Sequence, residues 1–94
     1  MPYLLIRHKV NDYDAWKPVY DEDAENRKAH GSKGGRLFRN ANNPNETISV
    51  FEFSDMEDAQ KFTESPELHE RMQRAGIADR PDIFFLDEVE RSAH

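Results

Sequence analysis

The chain has 94 residues, of which 36% are hydrophobic and 11% aromatic, and its formal net charge is -6. A chain of this length buries roughly 60–65% of the surface that its unfolded form exposes, which predicts a single domain over residues 1–94 with a small core built from large rings. The acidic balance argues against a nucleic-acid partner, because a phosphate backbone would on average be repelled.

The composition and the start of the chain also restrict the chemistry and the compartment. The absence of cysteine excludes disulfides, thiol nucleophiles and thiolate metal sites. The apolar start, Met1–Ile6, lacks the basic and hydrophobic regions of a signal peptide. No stretch approaches the length that crosses a membrane. The sequence therefore predicts a cytoplasmic protein without a membrane partner.

The chain opens with an extended segment. Residues Tyr3–Val10 read as a strand, because alternate side chains are apolar on one face, at Leu4, Ile6, His8 and Val10.

A helical region follows, for which Asn11 or Asp12 offers a side-chain oxygen as a cap. Proline lacks the N–H that a helix interior needs, so Pro18 predicts a kink or a restart. The helix is expected to continue to about Ala29, and Gly31 is a natural left-handed stop. Its apolar stripe has spacings of three and four, at Tyr13, Trp16, Tyr20 and Ala24.

Three further strands are predicted. The second, Arg36–Ala41, is joined to the third, Glu46–Phe53, by a hairpin of turn-forming residues at 42–45. The last strand covers Asp82–Glu90.

A second helical region lies between the third and fourth strands. Ser54 and Glu57 match the capping-box pattern at its start. Ser65 followed by Pro66 predicts a restart of the helix, and Gly76 ends it.

The order strand, helix, strand, strand, helix pair, strand is typical of an α+β ferredoxin-like βαββαβ fold. This fold has a four-stranded antiparallel sheet with its helices on one face. The first and last strands are apolar on both faces, which indicates that the other face is also covered. A second copy of the chain is the expected cover, giving a homodimer.

Several motifs carry a resemblance to a known family. They are Arg7-His8-Lys9-Val10, Asp12-Tyr13, Trp16-Lys17-Pro18, Gly34-Gly35-Arg36-Leu37-Phe38, Phe51-Glu52-Phe53-Ser54-Asp55, Ser65-Pro66-Glu67-Leu68 and Met72-Gln73-Arg74-Ala75-Gly76. Together they resemble a prokaryotic family of the dimeric α+β barrel superfamily, close to the antibiotic-biosynthesis-monooxygenase-like proteins. Some relatives carry the loose label "cyclase".

The resemblance implies a homodimer with a pocket between the helices and the sheet of each subunit. It also implies a monooxygenase that needs no cofactor, although the superfamily includes haem-degrading enzymes, isomerases and proteins of other roles. Haem-degrading relatives use an Asn, a Trp and a His, with the Trp on a strand. Trp16 lies in the first helical region instead, so those roles are not carried over.

His8 is the candidate catalytic residue, because a neutral imidazole among apolar neighbours can serve as a base or a hydrogen-bond donor. The alternative is a half-buried histidine bonded to the backbone or to a tyrosine. No two histidines have the spacing that is typical of metal ligands, so the sequence predicts no metal site.

The candidate substrate-binding residues are mostly aromatic. A flat ligand could be held by Tyr13, Trp16, Tyr20, Phe38 and Phe51. The helical spacing of Tyr13, Trp16 and Tyr20 is more simply a core-facing stripe, and the phenylalanines can be core or dimer interface.

Arg36 completes the candidate set, because its guanidinium can hold an anionic oxygen; pairing with Glu52 is the alternative. The acidic run Asp21-Glu22-Asp23 is interpreted as a solvated face.

The resemblance implies a small monooxygenase-like protein, and the candidate residues suit a small aromatic or polyketide-like molecule as its ligand. The alternative is a non-catalytic ligand-binding or stress-associated dimer. RNA-recognition motifs share the topology, but the acidic charge and an incomplete aromatic signature oppose that reading.

Overall fold

The computed structural model describes residues 2–78 and 80–94; positions 1 and 79, including the first residue of the apolar start, lie outside the described residues. In chain order its elements are β1 (Pro2–Lys9), α1 (Tyr13–Glu22), α2 (Ala24–Ala29), β2 (Ser32–Asn40), β3 (Asn43–Phe53), α3 (Met56–Thr63), α4 (Pro66–Ala75) and β4 (Asp82–Asp87). Within the described ranges, no helix is long and apolar enough to cross a bilayer.

The four strands form one sheet in the order β2-β3-β1-β4, and every neighbouring pair is antiparallel. Leu4 in β1 lies opposite Phe51 of β3 and Phe85 of β4. This arrangement confirms the predicted α+β ferredoxin-like fold.

The main core lies between the sheet and the helices. Leu4 and Phe53 from the sheet are fully buried, as is Phe62 from α3. Phe62 packs its ring against Phe53 and Phe51 at centroid distances of 5.6 and 6.4 Å. Because burying a large apolar side chain contributes about 1.5–3 kcal/mol, these rings fix the helices on this face.

Most predicted helix ends are confirmed. The Asp12 carboxylate accepts from the backbone N–H of Asp14 at 3.1 Å, and the Ser65 hydroxyl accepts from that of Leu68 at 3.1 Å. Gly31 and Gly76, each following a helix, have φ values of 97° and 78°, a region that favours glycine.

The capping box predicted at Ser54 and Glu57 is wrong by one residue. Asp55 is the cap of α3, and its carboxylate accepts from the backbone N–H of Asp58 at 2.8 Å. The Ser54 hydroxyl instead donates to the carbonyl of Gly31 at 3.2 Å, a contact between distant segments that local spacing does not reveal.

The kink predicted at Pro18 is also wrong, because α1 continues through it and the chain bends at Asp23. The N–H that proline lacks would have bonded to the carbonyl of Asp14. Both residues are on the exposed side of the helix, where water can bond to that carbonyl.

Several predicted strand bounds also differ from the structure. β3 begins at Asn43 instead of Glu46, so the hairpin turn is at residues 41–42 and not at 42–45. β2 begins at Ser32 instead of Arg36, because Gly34 and Gly35 pair with Glu52 and Phe51 of β3. The last strand ends at Asp87 instead of Glu90.

The sheet face turned away from the helices, here called the open face, has an apolar centre, with charged side chains such as Arg7, Glu52 and Asp82 toward its ends. Sheet register and alternation place these side chains on it: Leu5, Arg36, Phe38, Ile48, Val50, Phe84 and Leu86. Phe84 is 53% exposed and Phe38 is 48% exposed. A contiguous surface of this kind is a candidate interaction face.

Truncating Phe62 to alanine is expected to lower the free energy of unfolding by about 3–5 kcal/mol, because it leaves a cavity among buried rings. Urea denaturation of the wild type and the variant at one protein concentration measures the difference. Val89→Ala, at a position that is 95% exposed, is the control and should change stability by less than about 0.5 kcal/mol. Similar losses in both variants would contradict the assigned core.

Candidate functional site

A pocket lies between the sheet and the helices, and here it is called the inner pocket. Its walls include side chains of β1, β3 and all four helices. The apolar part of the wall includes Ile6, Trp16, Tyr20, Phe51, Phe62 and Leu68. The centre of a water-sized sphere can occupy about 40 Å³ of it. That is room for a few waters, so a ring-sized ligand needs side chains to move.

His8 borders this pocket from the middle of the sheet. It lies on the helix-facing side of β1 and is only 5% exposed. Neither ring nitrogen has a hydrogen-bond partner in the part of the chain that the structure describes. The ring instead meets Trp16 edge to face, with centroids 5.5 Å apart. Because buried polar groups are almost always bonded, this imidazole offers a donor and an acceptor to a bound molecule.

The protonation state of His8 follows from its surroundings. Burial lowers the pKa of the imidazole from 6.5 to about 4, because an apolar site disfavours the charged form. His8 is therefore neutral at pH 7, with one nitrogen able to accept a proton and the other carrying one.

Aromatic rings form a continuous wall beside His8. Trp16 lies 5.0 Å from Tyr20, which stacks on Phe51 at 6.2 Å between ring centroids. Burial raises the pKa of the Tyr20 phenol above its ordinary value. Tyr20 therefore keeps its proton and can donate a hydrogen bond at neutral pH.

Charged groups complete the wall on the helix side. Asp23 is 4% exposed and accepts a hydrogen bond from Nη1 of Arg71 at 2.9 Å and from Nδ2 of Asn26 at 3.1 Å. Arg27 Nη1 lies 3.7 Å from the same carboxylate. A buried carboxylate needs such partners, because a single unpaired buried charge costs several kcal/mol.

Arg27 is held flat against the aromatic wall. The centre of its guanidinium is 4.2 Å from the Tyr20 ring centroid and 5.1 Å from that of Phe51. Nη1 also donates to the carbonyl of Tyr20 at 2.9 Å. Cation–π contacts and the hydrogen bond together fix a positive group at the rim of the inner pocket.

The structure brings four of the residues predicted for the site together: His8, Trp16, Tyr20 and Phe51 all line the inner pocket. Tyr13 is adjacent but outside its lining; it packs on Trp16 at 5.8 Å and beneath the guanidinium of Arg39 at 4.3 Å.

Arg36 and Phe38 are not part of this grouping. Sheet register pairs them with Val50 and Ile48 on the open face, across the sheet from the inner pocket. The predicted grouping is corrected accordingly: within one subunit, neither side chain can contact a ligand held beside His8.

The charged part of the pocket lies outside the residues predicted for the site. Asp23 was interpreted as part of a solvated acidic run, and the structure buries it instead. The spacing of Asp23 and Arg27, four residues apart, was the available signal. Arg71 is 48 positions away from Asp23 in the chain, so that no local pattern could join them.

Across residues 2–78 and 80–94, no group of three or more His, Cys, Asp or Glu side chains is placed to hold a metal ion.

Comparisons with known proteins support the fold. No protein-family model matches the sequence, and no curated protein matches it significantly. Among solved structures, SnoaB from Streptomyces nogalater, a cofactor-independent oxygenase, aligns with a TM-score of 0.82 at 11% identity, covering 99% of this chain and 97% of its own. A protein from Caulobacter crescentus assigned as an antibiotic biosynthesis monooxygenase aligns with a TM-score of 0.76 at 18% identity, covering 95% and 90%.

A third neighbour, from Bordetella bronchiseptica and with the same assignment, has a TM-score of 0.78 at 15% identity, covering 95% of this chain and 97% of its own. The expected likeness to antibiotic-biosynthesis-monooxygenase-like proteins is thus confirmed at the level of the fold. Sequence identities this low support a shared fold only, and the activity has to be argued from the site itself.

The low pKa of His8 predicts a pH-dependent stability. Its native pKa of about 4 lies below the unfolded value of 6.5, so the unfolded chain binds more protons between these values and stability falls as the pH falls through this window. Between pH 7 and pH 4.5, His8 alone should lower the free energy of unfolding by about 2 kcal/mol.

Urea denaturation at pH 7 and pH 4.5 measures how much the free energy of unfolding falls. In His8→Leu that fall should be smaller by about 2 kcal/mol. The exposed His69 supplies the control: His69→Gln should keep the wild-type pH dependence. An NMR titration of the His8 ring with a midpoint near 6.5 would refute the assignment.

Proposed function

We propose that the chain forms a cytoplasmic homodimer in which each inner pocket binds a small hydroxylated aromatic or polyketide-like molecule and supports its oxygenation without a cofactor. The observation that carries this proposal is His8, a buried, neutral imidazole that borders an aromatic pocket with both ring nitrogens unbonded among the described residues. The fold shared with a cofactor-independent oxygenase supports it by analogy.

His8 would act on the ligand hydroxyl. A neutral imidazole accepts the proton of a phenol or enol, and the electron-rich anion that remains can pass an electron to oxygen. Burial alone makes His8 a weak base. A phenolate beside the ring would oppose that effect, because an adjacent negative charge favours the imidazolium form. Proton transfer is therefore coupled to ligand binding.

The reaction balances without an added reductant. For a monohydroxylated fused ring, one oxygen atom of O2 becomes a second ring carbonyl, and the other leaves as water. The two hydrogens of that water are the hydroxyl proton and the ring hydrogen that is replaced. The substrate itself supplies the electrons, so the protein contributes proton transfer, orientation and exclusion of water.

The aromatic wall would orient the ligand. Trp16 and Phe51 offer ring surfaces against which a flat molecule can stack. The protonated Tyr20 hydroxyl can donate a hydrogen bond to a ligand oxygen. The narrow space favours a ligand of one or two rings, admitted by rotation of side chains.

The open face would provide the dimer contact. Its exposed apolar side chains, including Phe38 and Phe84, would be covered by the same face of a second copy. Such self-complementary contacts are the commonest form of homodimer. In this arrangement Arg36 would lie at the interface.

A non-catalytic ligand-binding dimer is the second candidate. It is favoured by the low pKa of His8, which suits a hydrogen bond to a ligand better than proton removal. Both candidates share the pocket and differ in whether oxygen is consumed.

Oxygen uptake with 1-naphthol separates the two candidates. The wild-type chain should consume one O2 for each quinone formed, and His8→Gln should be slower by about 10²-fold, within the usual contribution of a positioned base. An oxygen electrode and product absorbance measure both, with protein-free solution as the blank. His69→Gln should retain the wild-type rate. Binding without oxygen uptake would favour the second candidate, and equal rates in wild type and His8→Gln would remove His8 from the chemistry.

The dimer is tested by placing a charge on the open face. Phe84→Asp should shift the sedimentation coefficient at micromolar concentration from that of a dimer to that of a monomer, because a carboxylate would be buried in an apolar interface. Val89→Asp adds the same charge outside the sheet and should stay dimeric. A monomeric wild-type chain would refute the proposed assembly.

A further inference from the structure

A second, more open cavity adjoins the inner pocket, and here it is called the outer groove. The centre of a water-sized sphere can occupy about 410 Å³ of it, ten times the space of the inner pocket. The two cavities share Tyr20, Arg27 and Phe51 as lining residues. These three side chains therefore stand between the two cavities, and a molecule that spans both must pass them.

The outer groove is positively charged. Besides Arg27, its lining contains Lys28 and Lys33 and no acidic residue. Both lysines are exposed, and they are among only 13 basic residues in a chain of net charge -6. Three cations around one cavity create a local positive potential that attracts anions.

Arg27 lies at the junction of the inner pocket and the outer groove, and neighbouring groups hold its guanidinium in place. The Tyr20 and Phe51 rings and the Tyr20 carbonyl hold its guanidinium in place. Both the hydrogen bond to Tyr20 and the ion pair with Asp23 go through Nη1. The guanidinium carries further N–H donors on Nη2 and Nε, which suit a carboxylate or phosphate oxygen.

Two glycines, Gly34 and Gly35, contribute to the sheet side of the groove. Gly34 has a φ of 125° and open space where a Cβ would lie, whereas a Cβ on Gly35 would lie 2.7 Å from the Phe51 ring. Gly34 therefore leaves open space for a ligand to approach the strand closely, whereas the space beside Gly35 is already taken by Phe51 and the Val50 carbonyl.

We infer that the ligand is an aromatic acid, whose ring lies in the inner pocket beside His8 and whose anionic group lies in the outer groove between Arg27, Lys28 and Lys33. The inference rests on the proposed function for the ring, and it adds a charge requirement that selects among ring-bearing molecules. Arg27 acts at the junction, where it contacts the aromatic wall and the anionic group together.

The test compares two probes of the same shape, 4-hydroxyphenylacetate and 4-hydroxyphenylacetamide, which differ in charge. NMR titration of the full-length, 15N-labelled chain reports the inner pocket through the indole N–H of Trp16 and the groove through the amides of Gly34 and Gly35. At low salt the acid should bind about tenfold more tightly than the amide and shift both sets of signals. The preference should shrink as added salt screens the groove.

The double variant Lys28→Gln/Lys33→Gln should reduce that preference to about threefold or less, while the amide binds as before. Lys9→Gln removes an exposed charge outside the lining of both cavities and should leave the preference unchanged.

Each remaining outcome overturns the inference in a distinguishable way. Equal affinity for acid and amide, with Trp16 shifted by both, would leave the proposed function standing and remove the anion requirement. Acid binding that shifts Gly34 and Gly35 without Trp16 would show an anion site that is not joined to the pocket. If neither probe shifts Trp16, the proposed function fails, and the inference fails with it.

Discussion

Asp23 brings a carboxylate into the interior between α1, α2 and α4, where Arg71 and Asn26 donate to it and Arg27 lies nearby. Because an unpaired charge at this depth would cost several kcal/mol, the bend between α1 and α2 and the position of α4 depend on one another. The same contact keeps Arg27 over the Tyr20 ring. The width of the inner pocket and the charge at its rim therefore share one cause.

His8 presents the opposite situation a short distance across the pocket. Asp23 has several partners, whereas both imidazole nitrogens lack one within the described part of the chain. A protein that only needed to fill this position could use an apolar side chain of similar volume, since a buried polar group without a partner reduces stability. The cost is understandable if a ligand supplies the missing hydrogen bond, which connects the energetics of the core to the proposed function.

Periodicity and turn chemistry were sufficient to predict the fold. Alternation in β1 correctly grouped His8 with Leu4 and Ile6 on one buried face, and Gly31 and Gly76 end helices as expected, because these features depend on residues close in sequence. Arg36 and Phe38 lie on the open face and not, as had been predicted, beside the inner pocket, and the reason is physical. The sequence shows that Arg36 and Phe38 lie on the same face of β2. Which side of the sheet that face is on depends on the register with β3, and the sequence of one strand does not contain that register. The burial of Asp23 likewise depends on a contact 48 positions away.

The exposure of Gly35 does not predict how well this position tolerates substitution. The residue is exposed, yet a methyl group added there would meet the Val50 carbonyl oxygen at 2.5 Å and the Phe51 ring at 2.7 Å. Mutational tolerance at this position should thus resemble that of an interior site. A smaller side chain at position 51 would remove only the ring contact, because the Val50 oxygen belongs to the backbone of the paired strand, so the strand pairing itself requires glycine at position 35.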